Sequence, residues 1–172
     1  MLRRSDTPLG YGMVDSILRR RGPSIGSVMA IVTVVPACIV LAPAAVADQV
    51  AATFRDAVAS LRSGTSCGPL QDNSAAEQAA DIINRSTDAY LNHTATHVPI
   101  SDPLPGLKDL GYPGNKAVLL QGAHKNPADA IKGALLEGHA AIPDCSYTDF
   151  GVSMFQNETS GYNLTAAVLA GP

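Results

Sequence analysis

The sequence predicts an α+β domain in which a small antiparallel sheet is covered by helices. Three observations predict this class. Two stretches with helical spacing of apolar residues come first, a short apolar run and a well-marked third helix follow, and two β-patterned segments around a polar loop close the chain. The predicted order is therefore helix, helix, strand, helix, strand, strand. A chain of 172 residues is long enough for one hydrophobic core and too short for two ordinary domains.

The first helix is predicted over residues 49–62, where Phe54, Val58 and Leu61 recur at spacings that place them on one stripe. Arg62 is predicted to lie outside that apolar stripe. A glycine two residues later ends the helix, and the glycine- and proline-containing stretch after it is predicted to be a loop.

The second helix has a start signal of its own. Ser74 followed three residues later by Glu77 is typical of a capping box. The helix should stop by His97, because Val98 precedes Pro99 and is disfavoured in helical geometry.

The middle of the chain predicts an irregular connection, a strand and a third helix. Residues 98–115 carry four prolines and three glycines, with one helical turn expected at 107–110. Residues 116–121 form a short apolar run between glycines, which indicates a buried strand. Asn126 as N-cap and Pro127 at the first helical position then mark the next helix.

The last part of the chain predicts a β-hairpin. Gly138 ends the third helix. Residues 149–156 and 162–170 are apolar or alternating, and they flank a five-residue polar loop at 157–161 that ends in glycine.

The chain divides by charge into residues 1–47 and residues 48–172. The first part holds five arginines against two aspartates, a net charge of +3, and the second holds seven Lys and Arg against thirteen Asp and Glu, a net charge of −6. Nucleic acids and anionic membranes are bound mainly through Lys and Arg. The acidic second part therefore predicts no nucleic-acid partner.

Residues 1–47 are typical of a signal peptide or an N-terminal membrane anchor. An arginine cluster precedes an uncharged apolar stretch that ends in Ala45-Val46-Ala47, which predicts cleavage before Asp48. Met13 is an alternative start, an uncleaved anchor is an alternative outcome, and Cys38 lies in a segment that resembles a lipoprotein box. We expect a secreted, extracellular protein, or alternatively one anchored to the cell envelope, with membrane contact only through this N-terminus.

Two cysteines remain after the leader, Cys67 and Cys145. An even pair in an exported domain is most simply a disulfide, because the compartment is oxidising. A catalytic thiol is the rival interpretation, and it needs an unpaired cysteine with a nearby base.

A series of short motifs covers most of residues 50–171 in a distinctive order and spacing. These motifs are Gly68-Pro69-Leu70 with Asn73, the Ala76 to Ala80 helix, His93-Thr94, Gly111-Tyr112, Ala117 to Gly122, Asn126-Pro127 to Gly138-His139, Tyr147 to Val152, and Tyr162 to Gly171. In this order and spacing, residues 48–172 resemble the bacterial branch of the CAP superfamily (cysteine-rich secretory protein, antigen 5 and pathogenesis-related-1), also called SCP-like domains. The resemblance implies an α-β-α sandwich.

The sequence also departs from the family pattern. CAP domains typically place two histidines and two glutamates in a central groove. Here Ala117 stands where the first glutamate is expected, Val118 stands where asparagine is expected, and the chain has no tryptophan. The resemblance therefore implies a reduced CAP domain that keeps two histidine positions.

His93 and His139 are the candidate groove residues, because the family fold would bring them to one groove. As neutral imidazoles they are also candidate zinc ligands, although a stable zinc site takes three or four ligands. His97 would share a face with His93 on a continued helix, and His124 is expected in a solvated loop.

The sequence predicts a binding module rather than an enzyme, with no catalytic residue assigned. The resemblance implies a lipid, a metal or another protein as ligand. Two alternatives remain open: a metal-dependent hydrolase or peptidase that uses the histidine pair, and an envelope structural or antigenic protein with a vestigial groove.

Overall fold

A computed structural model describes the backbone of residues 43–172, with side chains from residue 48 onward. The charged segment, the alternative start Met13 and Cys38 lie outside the described residues. The elements are α1 (Pro43–Ser63), β1 (Gln71–Asp72), α2 (Ser74–Leu91), α3 (Leu104–Asp109), β2 (Lys116–His124), α4 (Pro127–Glu137), β3 (Asp149–Gln156) and β4 (Asn163–Gly171). Helix α1 runs across the expected cleavage point after Ala47. Among residues 43–172, no helix combines the length and the apolar character that a membrane crossing requires.

The four strands form one sheet in the order β1-β3-β4-β2. The predicted antiparallel sheet is confirmed for the three long strands, with Asp149 opposite Ala170 in one pair and Lys116 opposite Gly171 in the other. The sequence analysis missed β1, which is two residues long and pairs parallel with the start of β3.

Helices cover both faces of this sheet, so the α+β class and the sandwich are confirmed. Strand β4 lies in the centre and alternates between the two cores. Its Ala167 and Leu169 pack with residues of α1 and α4, including Phe54 and Ile131. Its Ala166, Val168 and Ala170 pack on the other face, with residues of α2 and with Leu107 of α3.

Helix α2 lies unusually close to the sheet at Gly151. A Cβ atom built there would come within 2.0 Å of the backbone nitrogen of Glu77 and 2.4 Å of the carbonyl carbon of Ala76. Gly122 likewise allows α4 to approach the sheet closely, because a Cβ there would come within 2.0 Å of the Ala130 carbonyl oxygen. Glycine at these strand positions therefore sets how closely each helix can pack.

The start of α2 differs from the prediction. Asn73, not Ser74, is the N-cap, and its side-chain oxygen accepts from the backbone nitrogens of Ala75 and Ala76. The helix ends at Leu91, within the predicted limit of His97. By contrast, α4 starts as predicted, with Asn126 as N-cap and Pro127 first in the helix.

Candidate functional site

Cys67 and Cys145 form a disulfide, as predicted, with Cα atoms 5.1 Å apart across a sequence separation of 78 residues. On the chain-entropy model, closing a loop of this length stabilises the fold by about 4–5 kcal/mol. The bond joins the loop after α1 to the loop after α4.

Arg62 holds the same two loops together. Its side chain is buried, and its guanidinium donates to the carbonyl oxygens of Gly68 at 2.8 Å, Ile142 at 2.6 Å, Asp144 at 2.9 Å and Tyr147 at 2.7 Å. The sequence analysis placed Arg62 off the buried stripe, which is wrong. The signal was present, because Arg62 follows the buried Val58 by four residues and so shares its helix face.

A groove of about 480 Å³ opens beside these braced loops, between the end of α1 and α4. Its lining is mainly apolar, and Leu61 and Leu136 are 47% and 64% exposed. The lining residues are Leu61, Thr65, Lys132, Leu135, Leu136, His139, Ile142 and Pro143. We call this feature the α1–α4 groove.

His139, one of the two candidate histidines, lines this groove. It follows α4, and its Nδ1 lies 3.1 Å from the carbonyl oxygen of Leu136. A carbonyl oxygen can only accept, so the contact places a proton on Nδ1. In the neutral ring, Nε2 is then the acceptor.

His93 has a backbone role at the end of α2. Its φ of 56° is left-handed, its N–H donates to the carbonyl of Tyr90, and the next N–H, of Thr94, donates to the carbonyl of Ala89. These two bonds form a Schellman motif, in which the residue at His93's position is usually glycine. The side chain is exposed.

Replacing His93 by glycine is expected to raise the free energy of unfolding by about 0.5–1 kcal/mol, because glycine adopts a left-handed backbone without steric cost. Urea denaturation measures the change. His93→Ala is the control, since alanine keeps the Cβ and should give no such gain. Equal stability of the glycine variant and the parent would contradict this cap.

The structure does not bring His93 and His139 together. Helix α2, which ends before His93, packs on one face of the sheet, and α4, which ends before His139, packs on the other. The two helices also end over different parts of the sheet. Asn157, at the β3–β4 loop, donates to Asp88 near the end of α2, whereas Gly138 at the end of α4 lies beside Leu120 in β2. Among the described residues, no three His, Cys, Asp or Glu side chains are placed to hold a metal ion jointly.

The other two histidines lie on loops or strand ends. His97 follows the end of α2 and contacts the Thr96 hydroxyl at 2.8 Å through Nδ1. His124 is the exposed last residue of β2. Its Nδ1 accepts from the Asn126 nitrogen at 3.0 Å and lies 3.5 Å from an oxygen of Asp129.

A cluster of Lys116, Asp144 and Ser146 was missed by the sequence analysis. The Lys116 ammonium lies 2.8 Å from Asp144, contacts the Ser146 hydroxyl, and stands over the Tyr147 ring. The Asp144 pKa is lowered, mainly by the hydrogen bonds from Lys116 and Ser146, and the Lys116 pKa is raised by the bond to Asp144. A lysine kept protonated in this way cannot take the Ser146 proton, so the cluster is an ion pair and not a nucleophile with its base.

A second cavity, of about 460 Å³, has a mixed polar and apolar lining. Its buried Tyr112 donates to Asp149 at 2.9 Å. Burial, followed by this hydrogen bond, raises the Tyr112 pKa to about 12. The phenol therefore remains a hydrogen-bond donor at neutral pH and ties the loop before β2 to the start of β3.

Comparison with known proteins identifies the fold. No family model and no curated protein matches the sequence. Among solved structures, the chain is similar to an outer surface protein from Borrelia burgdorferi, with a TM-score of 0.58 and 13% identity over 72% of this chain and 92% of that one.

Two further solved structures are similar. One is a cysteine-rich secretory protein from Staphylococcus aureus, with a TM-score of 0.51 and 11% identity over 73% of this chain and 39% of that one. The other is an extracellular protein containing an SCP domain from Bacillus anthracis, with a TM-score of 0.52 and 16% identity over 77% of this chain and 44% of that one. The chain thus spans less than half of these two proteins but nearly all of the Borrelia protein. The chain therefore has a CAP-like fold of the bacterial, SCP-domain kind.

Proposed function

We propose that this chain is an exported, non-catalytic binding module whose ligand is an amphiphile, held with its apolar chain in the α1–α4 groove and its anionic end at the rim. The observation that most strongly supports this proposal is the apolar lining of the groove. Five of the lining side chains are apolar, and two of these are strongly exposed: Leu61, Leu135, Leu136, Ile142 and Pro143. A ligand that covers them removes apolar surface from water.

The size and the rim of the groove support this ligand class. Small-molecule sites occupy roughly 300–1,000 Å³, and this groove measures about 480 Å³. Lys132 supplies a positive charge in a mainly apolar lining, which favours a carboxylate or phosphate at one end of the ligand.

The polar residues of the groove favour binding over catalysis. The hydroxyl of Thr65 donates to the carbonyl oxygen of Arg62 at 2.7 Å, so its proton is directed to the backbone and not to a base. His139 is likewise engaged with the Leu136 carbonyl through Nδ1.

Location outside the cytoplasm is part of the proposal. It is supported by the leader pattern of residues 1–47 and by the disulfide, which is typical of oxidising compartments. The similar solved proteins are described as outer surface or extracellular proteins.

Titration with a dansyl-labelled fatty acid tests the groove. Replacing Leu136 by glutamine is expected to weaken binding about 5- to 10-fold, because roughly 1–1.4 kcal/mol of apolar contact is lost. The fold should tolerate the change, since the side chain is 64% exposed. Val98→Gln is the matched control. It removes an apolar side chain that is 76% exposed but lies in the loop between α2 and α3 and does not line the groove.

A separate measurement tests whether the groove prefers an anionic headgroup. Lys132→Gln should weaken binding of the fatty acid but not of the alcohol with the same chain. Equal loss in the Leu136 and Val98 variants would place the lipid elsewhere. Binding of neither lipid would overturn the proposal and favour an envelope protein with a vestigial groove.

A further inference from the structure

Strand β3 has an open edge. The only strand beside its outer side in the described residues is β1, and β1 pairs with Asp149 and Phe150 alone. The remainder of β3, residues 151–156, is bordered on that side by no strand of the described chain. Unpaired strand edges are the part of a sheet that accepts another extended chain.

The direction of the backbone groups along this edge follows from their partners. The Phe150 carbonyl accepts from the Asn73 nitrogen, so Phe150 faces outward, whereas Asn157 pairs inward with Tyr162 of the hairpin. Because alternate residues face the same side of a strand, Met154 and Gln156 present their N–H and C=O groups outward. Within residues 43–172 those outward groups have no hydrogen-bond partner.

The edge lies in a crevice between α1 and α2. This crevice, of about 190 Å³, is lined by Ala51, Val152, Ser153, Met154 and three carboxylates: Asp48, Glu77 and Asp81. Glu77 and Asp81 are partly balanced, because Arg55 lies 3.3 Å from Glu77 and Arg85 lies 2.7 Å from Asp81. Asp48 has no ion-pair partner among the described residues. The crevice therefore keeps a negative charge beside free backbone groups.

Three usual protections of an edge strand are absent from residues 154–156. Natural edges are commonly blocked by lysine, proline or a bulge. Residues 154–156 are Met, Phe and Gln, and their register with β4 is continuous, with Met154 opposite Thr165 and Gln156 opposite Asn163. An edge without these features fits a strand that a partner covers.

We infer that the open edge of β3 binds an extended peptide segment of another protein that carries alternating basic residues. The peptide backbone pairs with the outward groups of Met154 and Gln156, and its alternating lysines or arginines, which lie on one face of the strand, meet Asp48 on the α1 side. Pairing supplies affinity that is independent of sequence, and the carboxylates select for basic side chains. This site lies on a different part of the fold from the α1–α4 groove and does not depend on it.

Binding of the peptide Lys-Val-Lys-Val-Lys, blocked at both ends, tests the inference. Hydrogen exchange should slow at the Met154 and Gln156 amides when the peptide binds. Met154→Pro should abolish binding, because it removes an outward N–H without touching the bonds to β4. Met154→Leu, which keeps that N–H, should bind as the parent does.

A second variant and a second peptide test the inference even if the Met154→Pro variant fails to fold. Asp48→Asn, at an exposed helix position, should weaken binding about 3-fold and reduce its salt dependence. The peptide Glu-Val-Glu-Val-Glu should not bind. No binding of the basic peptide, slowed exchange elsewhere, or equal binding of the acidic peptide would overturn the inference. So would a dimer of the parent that dissociates in the Met154→Pro variant, since a second copy would then be the occupant.

Discussion

Replacing Arg62 by methionine is expected to lower the free energy of unfolding by about 3–5 kcal/mol. Arg62 is 2% exposed, and its guanidinium donates to four backbone carbonyls, those of Gly68, Ile142, Asp144 and Tyr147. Methionine fills a similar volume but donates nothing, so carbonyls in a buried setting lose their partner. Chemical denaturation with the disulfide intact measures the difference.

Arg55→Met is the matched control for this prediction. It removes an arginine from the same helix, but one that is half-buried and contacts Asp72 and Glu77 through ion pairs near the surface. Such pairs contribute about 1 kcal/mol or less. Similar losses in the two variants would contradict the role assigned to Arg62.

Replacing Gly151 by alanine is expected to cost about 3 kcal/mol or more. The added Cβ would lie 2.0 Å from the Glu77 nitrogen, and that atom belongs to the backbone of α2, so no side chain can rotate away. The helix would have to move off β3, and the core formed by Ala76, Ala79 and Ile83 would loosen with it. A drop in the thermal midpoint, with the helix signal retained, would show this loosening.

Gly106→Ala provides the comparison. Gly106 lies in α3 and has nothing within 4 Å of its Cβ position, so alanine there should be neutral or stabilise by up to about 1 kcal/mol. Should Gly151→Ala prove as mild as Gly106→Ala, the close packing of α2 on β3 would be refuted.

Elements with local signals could be predicted from the sequence. The N-cap Asn126, the proline after it and Gly138 mark α4 within the chain itself, and the structure places the helix there. The β3–β4 hairpin follows in the same way from two apolar strands around a polar loop. These signals are properties of neighbouring residues, so no knowledge of the fold is needed to interpret them.

Features that depend on distant residues could not be predicted in this way. Strand β1 exists only because Gln71 pairs with Asp149, and a charged residue such as Arg62 is buried only because carbonyls some 80 residues away meet it. The exact end of α2 depends on His93 adopting a left-handed backbone, which histidine does less often than glycine.

The candidate site was predicted only in part. His139 was singled out, and it lines the α1–α4 groove. The apolar residues beside it were not, because Leu61 belongs to α1 and Leu136 to α4, and only the packing of both helices on one sheet face makes them neighbours. The disulfide was predictable because an even pair of cysteines has few alternatives.

Photolabelling tests the proposed lipid site most directly. A fatty acid with a diazirine near its chain end, irradiated with the protein and mapped by mass spectrometry, should label the segments that line the groove, around Leu61 and from Leu135 to Pro143. Unlabelled fatty acid should compete for those sites. Labels confined to the exposed apolar residues Val98 and Ile100, or spread without competition, would contradict a lipid-binding groove between α1 and α4.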